Sequence, residues 1–369
     1  MIVERMRNRL RLNILIAACA LLCAPRTSPA SPGATRHAVA KQGESVTIAA
    51  SGDILLDRDV ARKVRGHGYA YPFAHVRSAL WQADIAFANL ECPLSSRPIR
   101  VHKPVAFAAP PAMAQCLTDG GLDIVSIANN HAMDCGQAGL ADTMDALRLH
   151  DIRWCGAGAT PNDALTPTII AVRGVRIAFV GFCEFLPEDA ALRNGGPAMA
   201  MATEENVRTA VAAARKQADI VVASFHWGIE FTVSPTERQR RLAHAAAEAG
   251  ADLVFGHHPH VLQGIEVIRA HSRVCLVAYS LGNFVFDQHL ASSKDPESTV
   301  LLTVAVNRKG LQSASFVPIT IRNCAPRLAT GTDAQRIADD MSALSAGLGT
   351  SVRNRRIDFT SSVSQRISR

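Results

Sequence analysis

Asp252-Leu-Val-Phe-Gly-His-His-Pro-His260 joins a short apolar run typical of a β-strand to three histidines within four positions. A single buried histidine is usually a hydrogen-bonded core residue. Three in such close succession, set off by Gly256 and Pro259, cannot all be packing residues. Neutral imidazoles at His258 and His260 are spaced to bind two neighbouring metal ions. The stretch therefore predicts a strand that ends at a metal site.

Apolar strand-like runs alternate with helical segments through most of the chain. Such runs occupy residues 46–50, 84–91, 123–131 and 219–226. Between them, apolar residues recur at helical spacing, for example at 140, 144 and 147. Alternation of this kind is typical of α/β proteins with largely parallel sheets, which bind ligands in a crevice at the carboxyl ends of their strands. We expect no separate second domain.

The polar ends of the predicted strands fall at a common count. Four strands begin with an aspartate, at positions 84, 123, 219 and 252. In the first three of these strands the residue seven positions further on is of a type that binds metals, namely Glu91, Asn130 and His226. In the fourth strand the same count reaches Pro259, which lies between His258 and His260. Because strands rise about 3.3 Å per residue, equal counts would place these side chains at one height. With the aspartate that follows the first strand, the predicted metal ligands are Asp53, Glu91, Asn130, His226, His258 and His260.

Two further histidines receive roles beside these ligands. His131 follows Asn130 and is placed to act as a general acid for a leaving oxygen. His257 is expected to hydrogen-bond the backbone or a ligand. Turn or capping roles for Asp53 and Asn130, and a surface position for Glu91, are the alternatives.

Composition restricts the class of partner. The chain has 369 residues, a formal charge of +7 and a pI of about 9.1, which suit an anionic partner, although part of the excess lies in the arginine-rich termini. Three Tyr and three Trp leave few rings for base stacking, so we expect no nucleic-acid partner. Seven cysteines beyond residue 30 show no disulfide spacing.

The termini predict export. Residues 1–30 combine arginines, an apolar run and a small-residue cleavage site, as in a signal peptide, with a lipid anchor at Cys19 as the less favoured alternative. We therefore expect a periplasmic, extracellular or envelope location. A linker at 31–44, the main domain at 45–320, a helical segment at 321–350 and a basic flexible tail at 351–369 complete the predicted organisation.

Six motifs resemble a known family when taken in order along residues 45–320. They are Gly52-Asp-Ile-Leu-Leu-Asp-Arg58, Ala88-Asn-Leu-Glu-Cys-Pro-Leu94, Ala128-Asn-Asn-His-Ala-Met-Asp134, Phe225-His-Trp-Gly-Ile-Glu230, Gly256-His-His-Pro-His260 and Tyr279-Ser-Leu-Gly-Asn-Phe284. Together they resemble the CapA family of capsule or poly-γ-glutamate biosynthesis proteins, which is similar in fold to the calcineurin-like metallophosphatases.

The resemblance implies a fold and a cofactor. The fold would be an α/β, metallophosphatase-like two-sheet sandwich flanked by helices, with its active-site crevice at the carboxyl ends of the strands. Two divalent ions, of Mn, Fe or Zn, would be held by the ligands named above. The chain departs from the superfamily pattern at Leu55, where a histidine is expected, and at Glu91, which replaces an aspartate. One ion would therefore have fewer ligands.

The implied function is biosynthesis or export of an anionic capsule polymer, with membrane-bound synthesis or export subunits as partners. The site would be hydrolytic or would handle the polymer, and Arg58 and Lys103, with Arg97 and Arg100, would receive its charge. Two alternatives remain: a secreted metal-dependent phosphatase or phosphodiesterase, and a non-catalytic assembly subunit that binds the polymer.

Overall fold

A computed structural model describes residues 45–99, 101–187, 195–288 and 295–359. The strands of these residues are β1 Val46–Ile54, β2 Ile85–Leu90, β3 Ile124–Ser126, β4 Arg153–Cys155, β5 Ala157–Gly158, β6 Thr168–Val172, β7 Val175–Cys183, β8 Ala198–Met199, β9 Ile220–His226, β10 Leu253–His257, β11 Ile265–Ala270, β12 Arg273–Ala278, β13 Asn283–Val285, β14 Ser298–Asn307, β15 Gly310–Arg322, β16 Ala325–Leu328, β17 Ser351–Arg353 and β18 Arg356–Asp358. The helices are α1 Arg58–His67, α2 Arg77–Trp81, α3 Ala114–Gly120, α4 Gly136–Leu149, α5 Pro161–Ala164, α6 Glu204–Arg215, α7 Glu237–Ala249 and α8 Gly331–Ala346, with single 3₁₀ turns at Tyr71–Phe73 and Pro111–Met113.

Two sheets contain most of these strands. The larger runs in the order β17-β18-β15-β14-β1-β2-β3-β4, with β13 paired to β1 and β16 to β15. The smaller runs β11-β12-β10-β9-β7-β6. Strands β1, β2, β3 and β4 are parallel to one another, as are β7, β9, β10 and β12. Each sheet therefore has a parallel centre whose carboxyl ends can converge on one site.

The two sheets face each other across an apolar core. Phe87 of the larger sheet stacks on Phe179 of the smaller, with ring centroids 5.8 Å apart, and lies 5.6 Å from Phe255. Neighbours of Phe87 on β2 point the other way, since Ala86 and Ala88 pack in the cluster on the outer face. This alternation is what a strand buried on both faces requires.

Helices cover the outer faces of the sheets. The cluster outside the larger sheet includes Val60 of α1, Leu117 of α3 and Leu140 of α4. The cluster outside the smaller sheet includes Val211 of α6 and Leu242 of α7. The predicted α/β two-sheet sandwich flanked by helices is therefore confirmed.

The C-terminal part of the described chain belongs to the same framework. Ile337 and Met341 of α8 pack into the core between the sheets, and Ser345 Oγ accepts a hydrogen bond from the backbone N–H of Ile265 at 3.0 Å. Residues 351–358 form the β17–β18 hairpin, whose Arg356 pairs with β15. The predicted flexible tail therefore does not begin at residue 351, because residues 351–358 extend the larger sheet.

Several expectations fall on residues that the structure does not describe. The signal peptide at 1–30, the anchor site Cys19, the linker at 31–44, Arg100 and residues 360–369 all lie outside the described ranges. In the described ranges, no helix has the length and apolarity needed to cross a membrane. The seven described cysteines are buried and unpaired.

Candidate metal centre

The carboxyl ends of strands from both sheets meet at one buried cluster of ligand side chains. Ligand atoms of Asp53, Glu91 and His226 lie within 4.8 Å of one another, and so do those of Glu91, His258 and His260. Glu91 belongs to both groups, and all five side chains are buried. The arrangement matches two adjacent cation positions that share one carboxylate.

The predicted ligands do converge, but not because each lies seven residues after the aspartate that begins its strand. Val222, three residues after Asp219, pairs with Leu253, which is one residue after Asp252. The two strands are therefore staggered by two residues, and His257 is the histidine level with His226. Strands β2 and β3 show the same stagger. The prediction of equal height was wrong, although the ligand types it selected do meet.

A tight turn after β10 brings the last two histidines to the cluster. His258 and His260 have φ angles of 95° and 59°, in the left-handed region that side chains rarely adopt. The backbone N–H of His258 donates to Asp53 Oδ2 at 3.2 Å, which fixes the turn against β1. Strained backbone of this kind is commonly found at functional sites, where the surrounding structure holds it.

Asp53 is the penultimate residue of β1 and is fully buried among hydrogen-bond donors. Asn89 Nδ2 donates to its Oδ1 at 2.9 Å, and the ring nitrogens Nδ1 of His257 and His260 lie 3.3 and 3.5 Å from its oxygens. Burial opposes ionisation, but contact with the two histidines holds the pKa of Asp53 well below its usual range. Asp53 is therefore the ionised carboxylate of the cluster, and His257 packs directly against it.

Glu91, which follows β2, behaves in the opposite way. Burial and then the charge of Asp53 raise its pKa well above the usual range. Within the described part of the chain, neither carboxylate oxygen of Glu91 accepts a hydrogen bond, and Oε1 lies 3.4 Å from His226 Nε2. A buried carboxylate without donors is costly unless a cation compensates it, so Glu91 fits the bridging position between two ions.

The remaining ligands lie on either side of Glu91. Asn130 Oδ1 and His226 Nε2 are 2.8 Å apart. Burial lowers the pKa of His226, and together with the nearby His260 it lowers that of His258 to about 3. Both imidazoles are therefore neutral, which is the form that binds metals.

His260 is oriented by an amide that sequence analysis did not single out. Its Nδ1 lies 2.9 Å from Asn283 Oδ1, and its Nε2 lies on the side of Glu91, 3.9 Å from Oε1. Burial opposes protonation, but the charges of Glu91 and Asp53 raise the pKa of His260 to about 9. An acceptor on the far ring nitrogen is the usual way in which proteins orient a histidine ligand.

A second missed amide, Asn89, connects the strands beneath the cluster. Besides donating to Asp53, it accepts a hydrogen bond on Oδ1 from Asn129 at 3.2 Å, and Asn129 also donates to the Leu90 carbonyl at 2.8 Å. Both residues stand in quoted motifs, Ala88–Leu94 and Ala128–Asp134, where Asn129 directly precedes the predicted ligand Asn130 and Asn89 lies two positions before Glu91. An amide one or two positions before a predicted ligand at a strand end was the sequence signal that could have identified both residues.

His131 lies at the edge of the cluster in a network of its own. Its Nδ1 is 2.8 Å from Asp134 Oδ2, and its ring centroid is 4.1 Å from that of Phe107. Asp134 also accepts the Phe107 backbone N–H at 2.7 Å and pairs with Lys103 Nζ at 2.6 Å. Burial lowers the pKa of His131 although Asp134 acts in the other direction. A neutral imidazole bonded through Nδ1 keeps Nε2 available for substrate.

A cavity of about 300 Å³ lies over the cluster and includes Asn130, His131 and His260 in its walls. Arg58 and Lys103, the predicted polyanion contacts, also line it. Both are already engaged: Arg58 forms an ion pair with Asp287, and Lys103 Nζ donates to the Asn130 carbonyl as well as pairing with Asp134. Arg97, the third, pairs with Asp142.

Leu55, where the superfamily pattern has a histidine, is a core residue. Its side chain is fully buried in the cluster outside the larger sheet, and its N–H donates to the Val285 carbonyl at 2.8 Å. A ligand is therefore replaced here by packing, and the Asp53 side of the cluster has one imidazole fewer than the pattern.

The chain matches known sequences over most of its length. Residues 47–288 match the family described as "Bacterial capsule synthesis protein PGA_cap". The capsule biosynthesis protein CapA of Bacillus anthracis is 31% identical over 298 residues, which cover 79% of this chain and 71% of that protein. The PGA biosynthesis protein CapA of Bacillus subtilis (strain 168) is 33% identical over 278 residues, covering 74% of this chain and 71% of that protein.

A solved structure is similar at a more distant level. The 5′-nucleotidase precursor from Thermus thermophilus aligns with a TM-score of 0.46 at 13% identity and covers 83% of this chain. The alignment spans 59% of that protein's length. A likeness of this degree carries no information on activity.

Proposed function

The chain belongs to the bacterial capsule synthesis protein PGA_cap family, and we propose that it acts in the biosynthesis of an anionic capsule polymer of the poly-γ-glutamate type through a metal-dependent hydrolytic centre. The names of the two Bacillus relatives support the capsule role. The basic and apolar pattern of residues 1–30 supports export to the periplasm, the cell surface or the medium, beside membrane-bound synthesis or export subunits.

The hydrolytic part of the proposal rests on the convergence around Glu91. Two buried carboxylates and three buried imidazoles from separate strand ends lie together, and both oxygens of Glu91 are free of hydrogen bonds from the described residues. Such a set would be strongly destabilising as a structural core, because each buried charge needs a partner. Its residues fit two divalent cations.

The donor types indicate which cations. Mixed nitrogen and oxygen ligands suit Zn, Fe or Mn, whereas an all-oxygen set would suit Mg or Ca. Asp53, Glu91 and His226 would hold one ion, with Asn130 beside it, and Glu91, His258 and His260 the other. Bound there, the ions would supply Lewis acidity toward a phosphoryl or acyl oxygen.

His131 would move the proton in this scheme. Its Nδ1 is bonded to Asp134 and the residue lines the cavity, so Nε2 is the ring nitrogen that would exchange a proton with substrate. Since burial keeps the imidazole neutral, it first accepts a proton at Nε2 from the attacking water. It then donates that proton to the leaving oxygen or nitrogen, while Asp134 stabilises the protonated ring.

The test compares metal content and turnover in variants of the full-length protein. We expect wild-type protein to contain divalent metal, His258→Ala to lose at least one ion, and the control His244→Ala, a partly exposed histidine on α7, to retain the wild-type content. Equal metal in all three would remove the basis of the proposal.

Turnover then separates catalysis from binding. Wild-type protein loaded with manganese is expected to cleave a generic phosphodiester or a poly-γ-glutamate chain, and His131→Ala to lose this activity while keeping its metal. Absence of turnover from clean protein that demonstrably holds two ions would exclude the hydrolase and leave a polymer-binding assembly role.

A further inference from the structure

The charged side chains that line the cavity differ in whether their charge is already compensated. Beside the histidines these are Arg58, Lys103 and Glu230. The guanidinium of Arg58 bonds Asp287 through both Nε and Nη2, and the Lys103 ammonium bonds Asp134 and a backbone carbonyl. Their carboxylate partners are almost fully buried, so these two cations are neutralised within the protein.

Glu230 is the exception among these groups. Its side chain is exposed to the cavity, and it forms no ion pair with any described residue. Glu230 lines the same cavity as Asn130, His131 and His260, so it lies beside the cluster. Apart from the histidines, the charged side chain of the wall that has no ion-pair partner among the described residues is therefore a carboxylate.

Hydrogen bonds to the histidine turn hold Glu230 in place. The Trp227 N–H donates to the His257 carbonyl at 3.1 Å, and the Phe231 N–H donates to the Pro259 carbonyl at 2.8 Å. Phe231 has a φ of 57°, and its ring centroid lies 6.0 Å from that of His260. The segment that carries Glu230 is thus fixed to the same turn as two predicted ligands, which fixes its position relative to the cluster.

Apart from Gln288, the remaining side chains of the wall are apolar, and the space is small. Pro104, Val105, Phe107 and Phe286 line the cavity beside the polar groups. A volume of about 300 Å³ is at the lower end of the range for ligand pockets. Such a space fits one or two residues at a chain end, with their methylene groups on the aromatic wall.

We propose that this cavity binds the amino-terminal end of an amide-linked, carboxylate-bearing chain, with the free ammonium on Glu230 and the methylene groups on the wall formed by Val105, Phe107 and Phe286. The proposal rests on the capsule function inferred above and names which part of the polymer the site recognises. Glu230 then determines specificity for the chain end over the chain interior, whose nitrogens are uncharged amides.

The test uses isothermal titration calorimetry with two probes on metal-loaded, full-length protein. One probe is a γ-linked glutamate tetramer with a free amino end, and the other is the same tetramer N-acetylated. Wild type is expected to bind the free-amine probe about tenfold more tightly, the ratio that ~1.4 kcal/mol of charge pairing gives. Glu230→Gln is expected to bind both equally, and the control Glu237→Gln, an exposed carboxylate on α7, to match wild type.

Each other outcome overturns a distinct statement. Equal binding of the two probes by wild type would overturn ammonium recognition and leave the capsule function standing. Loss of metal in Glu230→Gln would make Glu230 a metal ligand instead. Absence of binding of either probe, with metal-dependent phosphodiester cleavage intact, would overturn both the chain-end proposal and the polymer substrate.

Discussion

Lys103 Nζ lies 2.6 Å from Asp134 Oδ1, while the other oxygen of that carboxylate lies 2.8 Å from His131 Nδ1. One buried carboxylate therefore connects the loop that carries Lys103 to the histidine predicted to move the proton. The sequence alone predicts that Lys103 contacts a polyanion. The geometry favours a positioning role, because the ammonium is already satisfied by Asp134 and the Asn130 carbonyl.

Replacing Lys103 tests this positioning role. Lys103→Met leaves the buried Asp134 charge with one partner fewer, and we expect the free energy of unfolding to fall by about 3 kcal/mol. Lys103→Arg should recover much of that loss, and the exposed Lys309→Met serves as control. Urea unfolding measures all three. Wild-type stability in Lys103→Met, with only weaker substrate binding, would restore the substrate-contact interpretation.

Asp134→Asn tests the orientation of His131. The amide cannot stabilise a protonated imidazole, so we expect kcat to fall by about 10²–10⁴-fold. Metal content should stay at the wild-type level, since Asp134 is not among the grouped ligands. Asp142→Asn, which removes a carboxylate paired with Arg97, is the matched control. A parallel fall in metal content would mean that Asp134 supports the ligand set rather than the proton.

Gly256 tests how tightly β10 must pack beneath the histidine turn. A Cβ at this position would lie 1.9 Å from the Tyr279 carbonyl oxygen and 2.6 Å from Trp227 Nε1. We expect Gly256→Ala to lower the free energy of unfolding by about 3 kcal/mol or more. Gly66→Ala, in α1 with open space around it, should instead raise it by about 0.5–1 kcal/mol. Thermal and urea unfolding of the two variants decide the point, and equal stability of both would contradict the packing.

The pair His244 and Glu266, on the α7 side of the smaller sheet, gives a pH-dependent contribution to stability. Contact with Glu266 raises the pKa of His244. Burial opposes the effect on Glu266, but hydrogen bonds from His244 and Tyr279 lower its pKa. The contribution of His244 to stability is fully present below the pKa that the histidine has in the unfolded chain, and it is lost as pH rises through the pKa of the folded protein. The contribution of Glu266 to stability is fully present above the pKa that the glutamate has in the unfolded chain, and it is lost as pH falls through the pKa of the folded protein.

Both terms are therefore present together in mildly acidic solution, between about pH 4.3 and 6.5. We expect the melting temperature of His244→Gln to change less than that of wild type as pH rises from about 6 to 8, and His67→Gln, an exposed histidine on α1, to follow wild type. The effect should be small, because the His244 side chain is 45% exposed. Parallel melting curves for His244→Gln and wild type would show that the pair contributes nothing.

Much of the fold was predictable from local pattern. Apolar runs ending in polar residues located β1, β2, β3, β9 and β10, and helical spacing located the helices that cover them, because burial on one or two faces leaves a periodic trace in the sequence. The β17–β18 hairpin was missed, since a short, basic, serine-rich segment gains its strand structure only by pairing with β15.

For the candidate site too, local sequence predicted some features and only the structure supplied the others. Residue type and position after an apolar strand were enough to select Asp53, Glu91 and the histidines, because metal ligands are few in kind and strand ends are where they are used. Equal spacing from the starting aspartates did not predict the relative heights of the ligand side chains in the sheet. The register between β9 and β10 depends on inter-strand hydrogen bonds and is staggered by two residues.

By itself the sequence determined that this is an α/β protein with carboxylates and imidazoles at its strand ends, because hydrophobic period and ligand chemistry are local properties. Only the tertiary structure decided that Asn89 and Asn283 orient the cluster, that Asp134 neutralises Lys103, and that Glu230 lines the cavity without an ion-pair partner among the described residues. These are pairings between segments distant in the chain, and the sequence carries no distance between them.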